Sequence, residues 1–74
     1  MKLSDVIKGV MILRPYYNDP DGYNMGAEHD MMFMFATDKP LPDDDVCKMH
    51  DLGWFQENVP KGCYSPEESW SAHI

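Results

Sequence analysis

Cations, cysteines and long apolar runs are all scarce in this chain of 74 residues. Six lysine and arginine residues stand against thirteen aspartate and glutamate residues, which gives a formal net charge of −7 at pH 7. A surface of that sign repels the phosphates of DNA and RNA, so we expect no direct nucleic-acid binding. It would attract a basic surface on another protein, although solubility alone is the simpler explanation of the charge.

The shortage of cysteines and apolar runs indicates the cellular compartment in which we expect the protein. Two cysteines do not supply the disulfide framework of a small secreted domain. Lys2, Asp5 and Lys8 interrupt the N-terminal apolar residues, so we expect no signal peptide. No stretch is long enough to span a membrane. We therefore predict a cytoplasmic protein with reduced thiols that forms a single domain over residues 1–74.

The stretch from Leu41 to Trp54 predicts a complete helix that runs into a strand. Pro42 suits the first helical turn, and the negative charges of Asp43, Asp44 and Asp45 favour the positive end of the helix dipole. The apolar face consists of Val46, Met49 and Leu52. Gly53 fits the left-handed position that closes a helix, and residues 54–56 are typical of a strand.

Residues 4–14 predict a first helix with a broad apolar face. Ser4 is a suitable N-cap, and Pro15 disfavours helical geometry in the residue before it. The face consists of Leu3, Val6, Ile7, Val10, Met11 and Leu13. Gly9 weakens this helix by about 1 kcal/mol relative to alanine. A buried strand over Val10–Leu13 is the alternative, which the apolar spacing back to Leu3 disfavours.

The segment His29–Thr37 is the clearest predicted strand, and residues 15–28 before it are rich in turn formers and predict a loop. Every residue from Met31 to Ala36 is apolar, a pattern typical of burial on both faces. Two helices cover only one face of a small sheet. Therefore either Met31, Phe33 and Phe35 or Met32 and Met34 lie on an uncovered face, which commonly marks a partner site.

Residues 69–74 alternate polar and apolar side chains and predict a last, half-buried strand, with Trp70, Ala72 and Ile74 on one face. The predicted order is helix, strand, helix, strand, strand. That order favours an α+β fold in which two helices pack on one side of a small three-stranded antiparallel sheet.

Three features together resemble a group of small proteins from tailed bacteriophages and prophages. They are the segment Ala27–Asp30 that opens an apolar strand, the acidic helix that ends at Leu52-Gly53-Trp54, and the final strand with its tryptophan. The resemblance extends over most of the chain. It implies a phage or mobile-element origin and the cytoplasm of a bacterial host, and it brings no catalytic residues.

Residue types with reactive or ligating chemistry are few. Cys47, His50, Cys63 and His73 are the types that hold zinc, but their spacing contains no Cys-x-x-Cys knuckle. Asp19, Asp21, Gly22 and Glu28 match part of a calcium loop, in which Tyr17 replaces the first ligand. Cys63 or Ser71 could act as a nucleophile with His73 as its base, but neither pair lies in a recognisable sequence signature of nucleophilic catalysis. We expect no catalytic site, no metal and no cofactor.

We therefore expect a small acidic, non-enzymatic protein that binds and modulates or inhibits a host protein, for example a nucleic-acid-binding defence factor. The candidate contacts are Asp43, Asp44, Asp45, Glu28, Asp30, Met32 and Met34. One alternative is a self-associating structural or accessory protein, in which an uncovered face or sheet edge forms a homodimer. A small zinc-binding regulator is the second alternative.

Overall fold

A computed structural model describes residues 1–60 and 62–74 and places two helices against a three-stranded antiparallel sheet. The elements are α1 (Leu3–Leu13), a 3₁₀ turn (Arg14–Tyr16), β1 (Met25–Glu28), β2 (Met31–Met34), α2 (Asp43–Leu52) and β3 (Trp70–His73). The predicted α+β class, with two helices and three antiparallel strands, is confirmed. No helix in the described ranges has the length and apolar character needed to cross a membrane.

The predicted order of elements matches roughly. β1 lies inside the segment predicted as a loop, and its pairing with β2 makes it a strand. β2 is shorter than predicted because His29 and Asp30 form the hairpin turn. The predicted strand at 54–56 contributes a single bridge, from Phe55 to Ser71 of β3.

The strand order in the sheet is β1-β2-β3, so β2 is central. Met34 lies opposite Met25 of β1 and Trp70 of β3, and Met32 lies opposite Ala27 and Ala72. Side chains alternate between the two faces of a strand, so these residues share one face. Met32 and Met34 are 8% and 5% exposed, which identifies this face as the one that the helices cover.

The core lies between the sheet and the two helices. It consists of Val6, Leu13, Tyr17, Met32, Met34, Leu41, Val46, Met49, Trp54, Trp70 and Ala72. Trp54 and Trp70 are the largest fully buried side chains. Burial of such side chains contributes about 1.5–3 kcal/mol each, so this small set carries much of the stability.

Helix α1 differs from its prediction in two respects. Its N-cap is Lys2, not Ser4, and no side chain caps it. The predicted broad apolar face is split: Val6 and Leu13 are buried, whereas Leu3, Ile7 and Met11 are exposed. The strand alternative for Val10–Leu13 is wrong, because these residues complete α1.

Helix α2 ends as its sequence predicts. Gly53 has φ +97°, its amide donates to the carbonyl of His50, and the amide of Trp54 donates to the carbonyl of Met49. This pair of hydrogen bonds is a Schellman motif, and the left-handed residue it requires is usually glycine. At the other end, Pro42 is the N-cap and not a residue of the first turn.

Candidate protein-binding surface

The sheet face opposite the helices forms the candidate site, which we call the open face. Its members are Gly26, Glu28, Met31, Phe33, Phe35, Phe55, Ser71 and His73. The register places Gly26, Phe33 and Ser71 in one row across the three strands, and Glu28, Met31 and His73 in the next. Phe55 extends the first row, because it bridges to Ser71 from the far side of β3.

Aromatic rings cover much of the open face. The ring centroids of Phe33 and Phe35 are 5.8 Å apart, and those of Phe55 and His73 are 5.3 Å apart in a stacked arrangement. Phe35 remains 44% exposed. Large rings with few rotatable bonds are common anchors of protein–protein contacts, so this face has the composition of an interface.

Gly26 allows Phe33 to lie across the edge strand. A Cβ at position 26 would be 2.6 Å from the Phe33 ring, closer than side chains approach one another. The tip of the ring therefore lies over β1 at Gly26. Phe33 also borders the depression described next.

A depression of about 360 Å³ lies where the open face meets the β1–β2 turn. Met31, Phe33 and Ser71 contribute its lining from the sheet. Glu28, Asp30 and Glu57 also line it, and we call these three carboxylates the acidic rim. No lysine or arginine is among the described lining residues, so the lining combines apolar side chains with three carboxylates.

The turn beside the depression holds His29 at φ +55°. This is a two-residue hairpin loop, in which the positions with positive φ usually carry glycine or asparagine. A non-glycine residue in this region costs of the order of 1–3 kcal/mol unless local contacts compensate. His29 also lines the depression, so the strained residue belongs to the candidate site.

The structure brings only some of the predicted contact residues to this surface. Glu28 and Asp30 lie on the acidic rim. Met32 and Met34 are buried against the helices, so their prediction as contact residues is corrected. Because every residue of the run is apolar, the sequence could not show which alternate set faces outward; the structure shows that it is Met31, Phe33 and Phe35.

The three aspartates of α2 lie on the helical side of the molecule. Asp43 and Asp44 are exposed in the first turn. Asp45 accepts a hydrogen bond from the Tyr16 hydroxyl and lies 3.7 Å from the Lys48 ammonium. The hydrogen bond to Asp45, followed by burial, raises the pKa of Tyr16 above its ordinary value. Asp45 thus ties α2 to the turn after α1.

The candidate zinc ligands are divided between two faces. His50 packs on Trp70 with ring centroids 5.5 Å apart, on the helical side, whereas His73 stacks on Phe55 on the open face. Cys63 lines a groove with His50, and Cys47 is exposed on α2. Within residues 1–60 and 62–74, no three His, Cys, Asp or Glu side chains converge as metal ligands would.

The calcium-like segment forms an ordinary turn. The amide of Gly22 donates to the carbonyl of Asp19 at 3.0 Å, and Asn24 donates to the same carbonyl through its side chain at 2.7 Å. Asp21 pairs with Arg14 at 2.9 Å. Glu28 lies at the end of β1, on the acidic rim.

Phe55 and Glu57 were not among the predicted site residues. They reach the open face because the chain after α2 runs alongside β3, where Phe55 and Ser71 exchange backbone hydrogen bonds of 2.9 and 2.7 Å. The strand-like character of residues 54–56 was the only sequence signal for this placement. It did not show which face Phe55 would join.

No protein-family model matches the chain, and comparisons with curated proteins and with solved structures found no match either.

Proposed function

We propose that this protein is a small non-enzymatic binding protein whose open face recognises a basic surface on another protein. The observation that carries the proposal is the combination of an aromatic sheet surface with the acidic rim of Glu28, Asp30 and Glu57. A partner that fits would place an apolar side chain in the depression and arginine or lysine side chains around it. Aromatic and arginine contacts dominate the binding energy of many interfaces.

The charges would act mainly on the rate and selectivity of association. Complementary charge speeds encounter and penalises partners of the wrong sign, whereas rim charges add little to affinity. The aromatic centre would then supply most of the affinity. We therefore expect binding that weakens with salt but survives it.

A host protein that binds nucleic acid is the partner class we favour. Such proteins carry basic grooves for phosphates, which the carboxylates of the acidic rim would occupy. The resemblance to small phage and prophage proteins supports this choice, since it implies action in the cytoplasm of a bacterial host. The protein would then modulate or inhibit its target by covering the groove.

The test is capture from a bacterial lysate with two matched double variants. Glu28→Gln with Asp30→Asn removes two charges from the acidic rim, and Asp43→Asn with Asp44→Asn removes two from α2. Both doubles change the net charge equally, so bulk charge is controlled. We call the first variant the rim double and the second the α2 double. We expect the wild type and the α2 double to capture one host protein that the rim double does not capture. Equal loss in both doubles would contradict the proposal.

Self-association is a second candidate, which the edge strand β1 favours. The amide of Phe35 donates to the carbonyl of Asn24 at 2.9 Å, so in this register the backbone groups of Met25 and Ala27 point away from β2. An unpaired edge of this kind can add a strand from a second copy. Light scattering at rising concentration tests this candidate: a dimer that Ala27→Pro abolishes would support it, and a monomer throughout would exclude it.

A further inference from the structure

Helix α1 exposes an apolar stripe on the side of the molecule away from the open face. Leu3, Ile7 and Met11 are 74%, 53% and 57% exposed. They are spaced by four residues, so they lie one above another on the same side of α1. Scattered exposed apolar residues are normal, whereas an aligned set on a helix is typical of a contact surface.

The stripe borders a groove between the two helices, which we call the helix groove. Its volume is about 470 Å³. Its apolar lining consists of Ile7, Met11 and Ile12 from α1 and Leu52 from α2. Lys8 and Lys48 flank it, with Asp51 as the one carboxylate among its described lining residues.

The N-terminal segment that supplies α1 is basic, although the chain as a whole is acidic. Residues 1–14 carry a net charge of +2 within a protein of net charge −7. In the part of the chain that the structure describes, only Arg14 and Lys48 form ion pairs, with Asp21 and Asp45. Lys8 therefore stands beside an apolar groove without a carboxylate partner among the described residues.

We propose that the helix groove binds an amphipathic helix of a second partner protein, with apolar residues facing the groove and carboxylates facing Lys8 and Lys48. The stripe from Leu3 to Met11 extends about 12 Å along the helix axis, which suits a partner helix of about three turns. Helix-in-groove recognition uses apolar anchors at such spacing. With the open face, this groove would make the protein a two-sided adaptor.

Charge selects this occupant over the two obvious others. A second copy packed about a two-fold axis near Ile7 would bring Lys8 close to its own symmetry mate, and like charges at that position oppose the contact. A membrane surface with anionic lipids would repel a protein of net charge −7. An acidic helix from another protein brings no second Lys8, and it contacts only the groove, where the charged lining residues are Lys8, Lys48 and Asp51. A membrane surface would extend past the groove to the acidic remainder of the molecule.

The experiment uses the full chain and three labelled peptides of about 16 residues in fluorescence anisotropy. All three have the same composition of leucine and alanine. One carries glutamates beside an apolar stripe, the second carries lysines in their place, and the third is the acidic peptide with its stripe scrambled. We expect saturable binding of the first and at least about tenfold weaker binding of the other two.

Variants separate the groove from the open face. Met11→Gln removes an apolar contact from an exposed position, and Lys8→Glu reverses a flanking charge; each should weaken binding of the acidic peptide by about tenfold or more. The rim double, Glu28→Gln with Asp30→Asn, is the control and should leave it unchanged. Far-ultraviolet circular dichroism checks that each variant is folded.

Four outcomes would overturn the proposal. They are absence of saturable binding by the acidic peptide, equal binding of the acidic and lysine peptides, a dimer in light scattering that Met11→Gln dissolves, and flotation with phosphatidylglycerol vesicles that the same variant abolishes. The last two would assign the groove to a second copy or to lipid. None of them bears on binding at the open face, which the rim double tests separately.

Discussion

The indole of Trp54 lies directly against Gly9 of α1, so close that a Cβ at position 9 would be 2.1 Å from Nε1. The same nitrogen donates a hydrogen bond to the carbonyl of Asp5 at 3.3 Å. Gly9 costs α1 about 1 kcal/mol of helix propensity relative to alanine. The contact explains that cost, because any side chain at position 9 would displace the buried tryptophan that joins α1 to the end of α2.

Gly9→Ala should therefore destabilise the protein although alanine is the better helix former. We expect a net loss of about 1–3 kcal/mol in the free energy of unfolding, since overpacking outweighs the propensity gain. Urea denaturation followed by tryptophan fluorescence measures it. Ser4→Ala, at an exposed position of the same helix, is the control and should be neutral or slightly stabilising. A Gly9→Ala protein more stable than the wild type would refute the close contact.

Tyr17 makes the stability of the protein depend on pH in the alkaline range. Its hydroxyl donates to the carbonyl of Phe35 at 2.5 Å, and burial, aided by Asp38, raises the pKa of Tyr17 to about 12 from 10.0. The folded state holds the hydroxyl proton of Tyr17 more tightly than the unfolded state does. The contribution of Tyr17 to the free energy of unfolding is therefore complete below pH 10 and is lost as the pH rises from about 10 to 12.

Tyr17→Phe should cost about 1 kcal/mol at pH 7, through the lost hydrogen bond and the unpaired carbonyl. The stability difference between wild type and variant should shrink between pH 10 and 12. Chemical denaturation at stepped pH measures this, with Tyr23→Phe as the control because Tyr23 is almost fully exposed. A difference that stayed constant over that range would contradict the assigned role of Tyr17.

The β1–β2 turn should respond to the positive φ of His29. Glycine adopts this conformation without steric cost, so His29→Gly should stabilise the protein by up to about 1 kcal/mol. His29→Val places a β-branched residue at φ +55° and should destabilise it by about 1–2 kcal/mol. Thermal unfolding of the two variants should shift in opposite directions; a parallel shift would argue against the turn geometry.

Local signals made α2 predictable. Pro42, the acidic first turn, the apolar spacing and Gly53 all act within a few residues of one another, and the structure places α2 at Asp43–Leu52. β1 was missed because Met25-Gly26-Ala27-Glu28 contains few residues that favour strands. Its conformation comes from pairing with β2, and its glycine is needed to accommodate Phe33.

The candidate site was predictable only in part. Glu28 and Asp30 were among the predicted contact residues, and both lie on the acidic rim. The outward set of that strand was ambiguous, since Met31–Ala36 is apolar throughout and a shift of one residue exchanges the faces. Glu57 joins the rim through the tertiary path of the chain beside β3, which a local pattern does not encode.

The most direct test of binding at the open face is site-specific photo-cross-linking in bacterial cells. Benzoylphenylalanine replaces Phe35, whose ring is exposed on the open face, and in a second protein it replaces Asp44, exposed on α2. The account predicts that position 35 cross-links to one host protein, that position 44 does not, and that Glu28→Gln with Asp30→Asn removes the adduct. A cross-link from position 44 to that host protein, with none from position 35, would contradict it.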